Sequence, residues 1–315
     1  MKKAVFEYLI CPSCLPAEHK LFASVIKESD LEIISGHLTC RNCNRRYPVN
    51  EGLAVLLPSS GERIERGPAY YEGPEIISMY LWSQYADTFG DPEANDIYSI
   101  FSRLLPDLGP ADLALDFGCS VGRITFELAR KSGFCIGLDS STSFIRAARQ
   151  LAADGEINVT LKTEGNLREE KMIALPGEWD REKVEFIVGD VLAPPFPRAL
   201  FSQVTSLNLL DKVGDPLEHL RQVNRVAKKS EAWFLFADPF SWSEEYSPQE
   251  AWLGGRTEGA FVGRGFDNVR DLLIDEAGTI QPAWSIQQAG RLPWKIRSHS
   301  NHYEMIFSEF FLAWR

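Results

Sequence analysis

The sequence predicts a doubly wound α/β domain with a small cysteine-held module in front of it. Three observations carry that prediction. From Ala111 onward, apolar strand-like runs alternate with amphipathic helical ones; a glycine-rich loop joins the first strand to the first helix; and four of the six cysteines fall in two Cys-x-x-Cys pairs, Cys11/Cys14 and Cys40/Cys43. Strand–helix alternation implies a mainly parallel sheet with helices on both faces.

The 315 residues suffice for one domain of about 200 residues plus a small module. Hydrophobic residues make up 44% and charged residues 24%, the balance of a globular chain with a real core. No apolar run approaches the ~18 residues that span a bilayer, so no membrane is expected. The opening MKKAVFEYLI has a short apolar stretch interrupted by Glu7, unlike a signal peptide, which points to the cytoplasm. Net charge is −11, and because nucleic-acid affinity comes mostly from neutralising phosphates, a nucleic-acid substrate is disfavoured. Arg41, Arg45 and Arg46 form one local basic group, read as a solvated surface.

Residues 1–60 read as the first unit. An apolar strand-like run, Val5 to Ile10, leads into the knuckle CPSC, and LTCRNCNRRYPVNEGLAVLLP closes the unit before a linker-like Pro58-Ser-Ser-Gly61. Two knuckles 25 residues apart give four thiolates, Cys11, Cys14, Cys40 and Cys43, the pattern of a closed structural zinc ion with no open position for catalysis. So small a unit cannot live on apolar burial alone, and a metal supplies what is missing. It is expected to hold a core separate from the larger domain, and either to pack on that domain or to meet a protein partner.

Residues 61–110 form a linker and two helices, PEIISMYLWSQYADTFG and PEANDIYSIFSRLLPDLG, each opened by a proline at the first helical position. They are expected to act as a lid. Residues 111–315 hold the main domain: strand DLALDF, helix VGRITFELARK, strand FCIGLD, helix STSFIRAARQLAAD, a polar insertion at about 155–182, then VEFIVGD, FSQVTSLNLL, the helix DPLEHLRQVNRVAKK and the strand AWFLFAD. Two long strands close the chain, suggesting an antiparallel sheet edge.

The loop from Asp116 to Arg123 lies where open α/β sheets bind ligands, beyond the carboxyl ends of the strands. Gly118 and Gly122 allow the backbone to approach a ligand closely, with Cys119 as a small residue between them. Asp139, about twenty residues on and followed by Ser140, suits a ribose hydroxyl pair. Asp190, followed by Val191, ends the third strand, where a carboxylate can accept from an adenine amino group. The spacing is G-x-x-x-G, short of the G-x-G-x-x-G dinucleotide fingerprint. Together with Asp116 it favours S-adenosylmethionine over a nicotinamide cofactor.

With those residues in view, DFGCSVGRITFELAR, GLDSSTSFIRAARQL, FSQVTSLNLLDKVGDPLEHL and DPFSWSEEYSPQEAWLGG resemble the methyltransferase of ovothiol biosynthesis, the 4-mercaptohistidine N-methyltransferase family. IRSHSNHYEMIFSEFFLAWR is similar to that family's ending. The resemblance covers roughly residues 70–315, and the SWSEEYSPQEAWLGG segment is its discriminating part. It implies a Rossmann-like, seven-stranded class I methyltransferase fold and a small imidazole acceptor of the 5-thiohistidine type. The first 60 residues resemble the small zinc-binding activator of tRNA and protein methyltransferases. A zinc ribbon ahead of such a fold also occurs in a 23S rRNA guanine methyltransferase, so an rRNA or tRNA base methyltransferase is the second reading, beside a methyltransferase for another small molecule.

The chemistry-bearing candidates follow from strand ends. Asn208 leaves the fourth strand, where donor and acceptor meet; its amide suits either an imidazole nitrogen or a plain turn. Asp211 suits a helix cap. The segment from Trp242 to Gly255 is expected to form a lid, with Trp242, Tyr246 and Trp252 walling a flat ring and Glu244 or Glu245 taking an ammonium; an aromatic satellite core is the alternative. Tyr70, Tyr71 and Tyr80 are candidates to close over the sulfonium or the acceptor, and Arg123 to meet a carboxylate of either.

Overall fold

A computed structural model describes residues 1–58 and 71–315. Tyr70, one of the predicted closing tyrosines, lies outside them. The sheet runs through the whole molecule in the order β1-β2-β3-β4-β9-β6-β5-β10-β11-β13-β12. Its strands are β1 (Leu21–Glu28), β2 (Ile33–Cys40), β3 (Arg46–Asn50), β4 (Leu53–Leu56), β5 (Leu113–Phe117), β6 (Phe134–Asp139), β9 (Val184–Gly189), β10 (Gln203–Leu207), β11 (Trp233–Asp238), β12 (Ser285–His299) and β13 (His302–Trp314). A separate antiparallel hairpin is made of β7 (Glu156–Glu164) and β8 (Leu167–Ala174).

The predicted seven strands are present as a block, β9-β6-β5-β10-β11-β13-β12, but the count is corrected to eleven. Five strands of the block are parallel, and β13 turns back antiparallel on β11 with β12 at the edge. The other four come from the cysteine module, whose last strand pairs parallel with β9 through Val55↔Val188 and Leu56↔Gly189. Once β4 seats there, the two units share apolar contacts. Val5, Leu9, Leu38, Tyr47 and Val49 belong to the same buried cluster as Phe117, Ile136, Leu138 and Ile187. The expectation of separate cores is therefore overturned. Polar contacts brace the same seam: Ile10 donates to the Pro195 carbonyl (2.9 Å), Glu18 meets Arg198 and Arg225 at 3.1 and 3.4 Å, and Arg149 meets Glu32 at 3.5 Å.

Of the described α-helices, two carry a side-chain N-cap, and the others begin without one. α1 (Lys3–Phe6) replaces the strand expected over Val5 to Ile10. α2 (Pro74–Tyr85) starts with Pro74 as predicted, but α3 (Ile97–Leu104) starts after Asp96, not at Pro92. α4 (Arg123–Ala129) follows Gly122. α5 (Thr142–Asp154) is capped by the Ser141 hydroxyl accepting from the Phe144 amide and stopped by Gly155. α6 (Pro216–Val226) is capped by Asp215, not Asp211; α7 (Gly265–Ile274) follows the 240–264 loop. The region expected as a polar insertion is the β7–β8 hairpin. Ile157, Val159 and Leu161 alternate inward along it, and Gly165 takes the left-handed turn.

Candidate functional site

Metal site. The four predicted cysteines converge, with their sulfurs all within 4.8 Å of one another. Cys11 and Cys43 sulfurs are 3.6 Å apart, Cys14 and Cys40 3.7 Å. A tetrahedral zinc with Zn–S near 2.3 Å requires sulfur–sulfur edges of about 3.8 Å, so the donors fit that ion. The Tyr47 hydroxyl lies 3.1 Å from the Cys11 sulfur and 2.9 Å from Ser13 Oγ, a neighbour that orients a ligand. All four positions are filled by protein sulfur, which makes the site structural.

The cleft. The carboxyl ends of β5, β6 and β10 open into a cleft of about 970 Å³, counting the space open to solvent, within the range of small-molecule sites. Gly118 (φ +68°) and Ser120 (φ +50°) turn the β5–α4 loop. A Cβ on Gly118 would come within 2.9 Å of Leu209, so glycine keeps that wall close and the loop backbone accessible. The Asp139 carboxylate accepts from the Ser120 and Ser141 amides, both at 2.9 Å. Burial raises its pKa against the pull of those two amides. Asp116 accepts from Thr205 (2.7 Å) and Thr125 (2.8 Å), and burial pushes it up to about 7.

Asn208 (φ +55°) lines the same cleft, its side-chain oxygen accepting from Ser308 Oγ at 2.5 Å. Tyr80 lines it too, 4.9 Å from the Phe144 ring and 6.0 Å from Trp294. Tyr71 is strapped across the mouth: Glu72 accepts from the Thr142 and Ser143 amides (2.8 and 3.0 Å), and the Tyr71 hydroxyl lies 3.4 Å from that of Tyr246. Lys212 sits beside them, its Nζ 3.4 Å from Asp211 and 4.8 Å from the Tyr246 ring centre.

Several predicted residues stand elsewhere. Arg123 is buried under α2, bonded to Asp87 (2.6 Å) and Glu127 (3.2 Å). Its charge is spent holding α2 to α4, and it does not line the cleft. Gly122 lies against the Phe186 ring, where a Cβ would fall at 2.7 Å; its role is packing. Asp190 caps its own turn by accepting from the Leu192 amide (2.8 Å), and Val191 belongs to the core. Neither lines the cleft. Trp252 stacks on Trp242 at 6.3 Å and donates to the Ser247 carbonyl; both belong to an aromatic satellite, as does Phe240. Glu244 is exposed and outside the lining. Of the predicted lid, Tyr246 alone reaches the cleft.

Sequence reasoning missed Gln84, Tyr98, Lys212 and Trp294. Lys212 lay inside the quoted LNLLDK segment, directly after the strand end that singled out Asn208. Trp294 donates to the Tyr98 hydroxyl at 3.1 Å, a pairing across 196 residues that no local pattern announces.

This geometry agrees with the comparisons. Residues 115–235 match the methyltransferase domain family, and residues 2–52 match the Trm112p-like proteins. Residues 115–235 thus carry a methyltransferase domain. A curated relative, ajmaline N-methyltransferase of Rauvolfia serpentina, is 27% identical over 123 residues, 39% of this chain and 34% of that protein. The chain thus spans about a third of the curated relative it matches. Among solved structures, the magnesium protoporphyrin IX methyltransferase of Synechocystis PCC 6803 with bound adenosylmethionine is 15% identical, with TM-score 0.45 and coverage of 79% of this chain and 94% of that one. The complex of the Haloferax volcanii Trm112 activator with a methyltransferase is 18% identical, with TM-score 0.35 and coverage of 51% and 60%. Asp139 at its strand end and the loop around Gly118 both line the cleft and are the residues that could hold a ribose and a methionyl group there. Among the described residues, no helix is long and apolar enough to cross a membrane.

Proposed function

We propose that the chain methylates a ring nitrogen of a small, amino-acid-type imidazole acceptor, with 5-thiohistidine as the leading candidate. The observation that carries this reading is the acceptor side of the cleft. Aromatic rings of Tyr71, Tyr80, Tyr246 and Trp294 wall it, and Lys212 is the one cation among the described lining residues. Flat walls suit a heteroaromatic ring, and a single ammonium suits one carboxylate. The net charge of −11 supports a small molecule over a nucleic acid.

Adenosylmethionine supplies an electrophilic methyl on its sulfonium; the acceptor nitrogen's lone pair forms the new bond as the carbon–sulfur bond breaks, leaving a thioether. An imidazole nitrogen with a free lone pair needs no strong base at that moment. The protein's contribution is orientation and exclusion of water. Asn208, its amide oxygen taken by Ser308, presents its amide N–H groups to an oxygen or thiolate of the acceptor or to a cofactor group, leaving the ring-nitrogen lone pair free. Lys212, steadied by Asp211, places the carboxylate. Tyr71 and Tyr80 cover the cleft. The first 58 residues act within the chain, as an extension of the catalytic sheet.

The test is to incubate the protein with adenosylmethionine and 5-thiohistidine, histidine or bulk rRNA, following adenosylhomocysteine and product mass. Turnover should be fastest with 5-thiohistidine. Lys212→Ala should raise the KM for that acceptor about tenfold, the worth of one charge-assisted hydrogen bond, and change cofactor affinity little. Methylation of rRNA without turnover of any thiolated imidazole would move the assignment to a base methyltransferase, the reading favoured by the Trm112p-like match alone.

A further inference from the structure

A second cavity, of about 580 Å³ counting its open mouth, lies between α2, the β7–β8 hairpin and β12. It shares no lining residue with the methyl-transfer cleft. In a chain of net charge −11, its walls carry Lys162, Arg168 and Arg297 against one carboxylate, Glu75.

Three details set this cavity apart from an ordinary solvated surface. Lys162 and Arg168 are direct register partners across the hairpin, and like charges placed opposite each other on a sheet are destabilising. Arg168 is relieved by Glu75 at 3.0 Å, but Lys162 has no ion pair among the described residues. Arg297, 6% exposed, meets Glu169 at 2.8 Å and Asp91 at 3.8 Å and donates to Ser300 Oγ at 3.2 Å and the Lys162 carbonyl at 3.4 Å. Its Nε–H is nonetheless buried with no hydrogen-bond partner among the described residues. An unpaired buried donor is costly, and so is a facing pair of cations; an anion seated between them answers both.

We propose that this cavity binds a small oxyanion of the phosphate class, with Lys162 and Arg168 as its outer grip and Arg297 at its base. Arginine and lysine divide the work there as their shapes suggest: a planar fork steadied by carboxylates, and a flexible point charge. The proposal does not depend on the identity of the methyl acceptor.

The experiment is calorimetric titration of the full chain with inorganic pyrophosphate, against potassium chloride of matched ionic strength. One saturable site is expected in the wild-type protein, weakened about tenfold by Lys162→Ala and similarly by Arg168→Ala, each removing one charge-assisted contact. Both substitutions fall on the hairpin, so the same samples titrated with adenosylmethionine should keep wild-type cofactor affinity, which verifies the fold. Absence of saturable pyrophosphate binding to the wild-type protein overturns the proposal. Equal binding by the wild-type protein and the Lys162→Ala and Arg168→Ala variants does so as well.

Discussion

The seam where β4 meets β9 and the cleft beyond β5, β6 and β10 belong to one sheet, yet they are built on opposite terms. At the seam, apolar side chains from both units fill one cluster, and the charged groups at its margin are paired. The four cysteines leave no ligand position open. At the cleft, Ser120 and Asn208 hold left-handed backbone angles, and burial raises the pKa of both Asp116 and Asp139. Poorly solvated carboxyl groups line the place where a ligand is to arrive, and the seam extends the sheet that holds them.

The largest effect that would break this contrast is loss of the metal. A structural zinc contributes on the order of 10 kcal/mol to a small module at neutral pH. Because the cluster is continuous, Cys40→Ser or chelation should lower the stability of the whole molecule in one transition. Adenosylmethionine affinity should fall with it. Calorimetric scans showing two separate transitions, with cofactor titration unchanged, would restore two independent cores.

A smaller effect sharpens the cleft's side of the comparison. The folded-state pKa of Asp116 is raised from 3.8 to about 7. Its contribution to stability is therefore fully present below about pH 4 and is lost as pH rises through about 7, with a limiting slope near 1.4 kcal/mol per pH unit. Denaturation of the cofactor-free protein at a series of pH values should show that fall, and Asp116→Asn should flatten it. An equal slope in the variant would assign the effect to other groups.

Smallest is the loss of one cofactor contact. Asp139→Ala should weaken adenosylmethionine binding by about 1–3 kcal/mol while leaving zinc content at the wild-type level. Unchanged affinity by calorimetry would remove Asp139 from the ribose site.

Much of this was legible in the sequence, and the failures have physical reasons. Strand–helix alternation from residue 111 gives the order of the parallel strands, because buried strands such as LALDF and FLFAD read as unbroken apolar runs. The cysteine spacing names the metal ligands outright. The union of the two units was not legible: LAVL in β4 looks like any short strand, and nothing local says that it will pair with residues more than 130 positions away. The hairpin at 156–174 did carry a signal, the alternation of Ile157, Val159 and Leu161 before Gly165, which its high charge obscured. Arg123 shows the limit for sites. A cation next to a glycine loop reads the same whether it serves a ligand or an internal ion pair; only the position of Asp87 and Glu127 separates the two.

The pairing of β4 with β9 also decides how this molecule responds to dilution. A separate subunit seated on that edge would come away as concentration falls, and its share of occupied partners would depend on how much of each protein a cell makes. Here both strands are on one polypeptide, so the local concentration of one edge for the other is fixed covalently, at about the millimolar level or above. The stoichiometry is one to one by synthesis, and the apparent stability of the free chain should be independent of how much protein is in the tube.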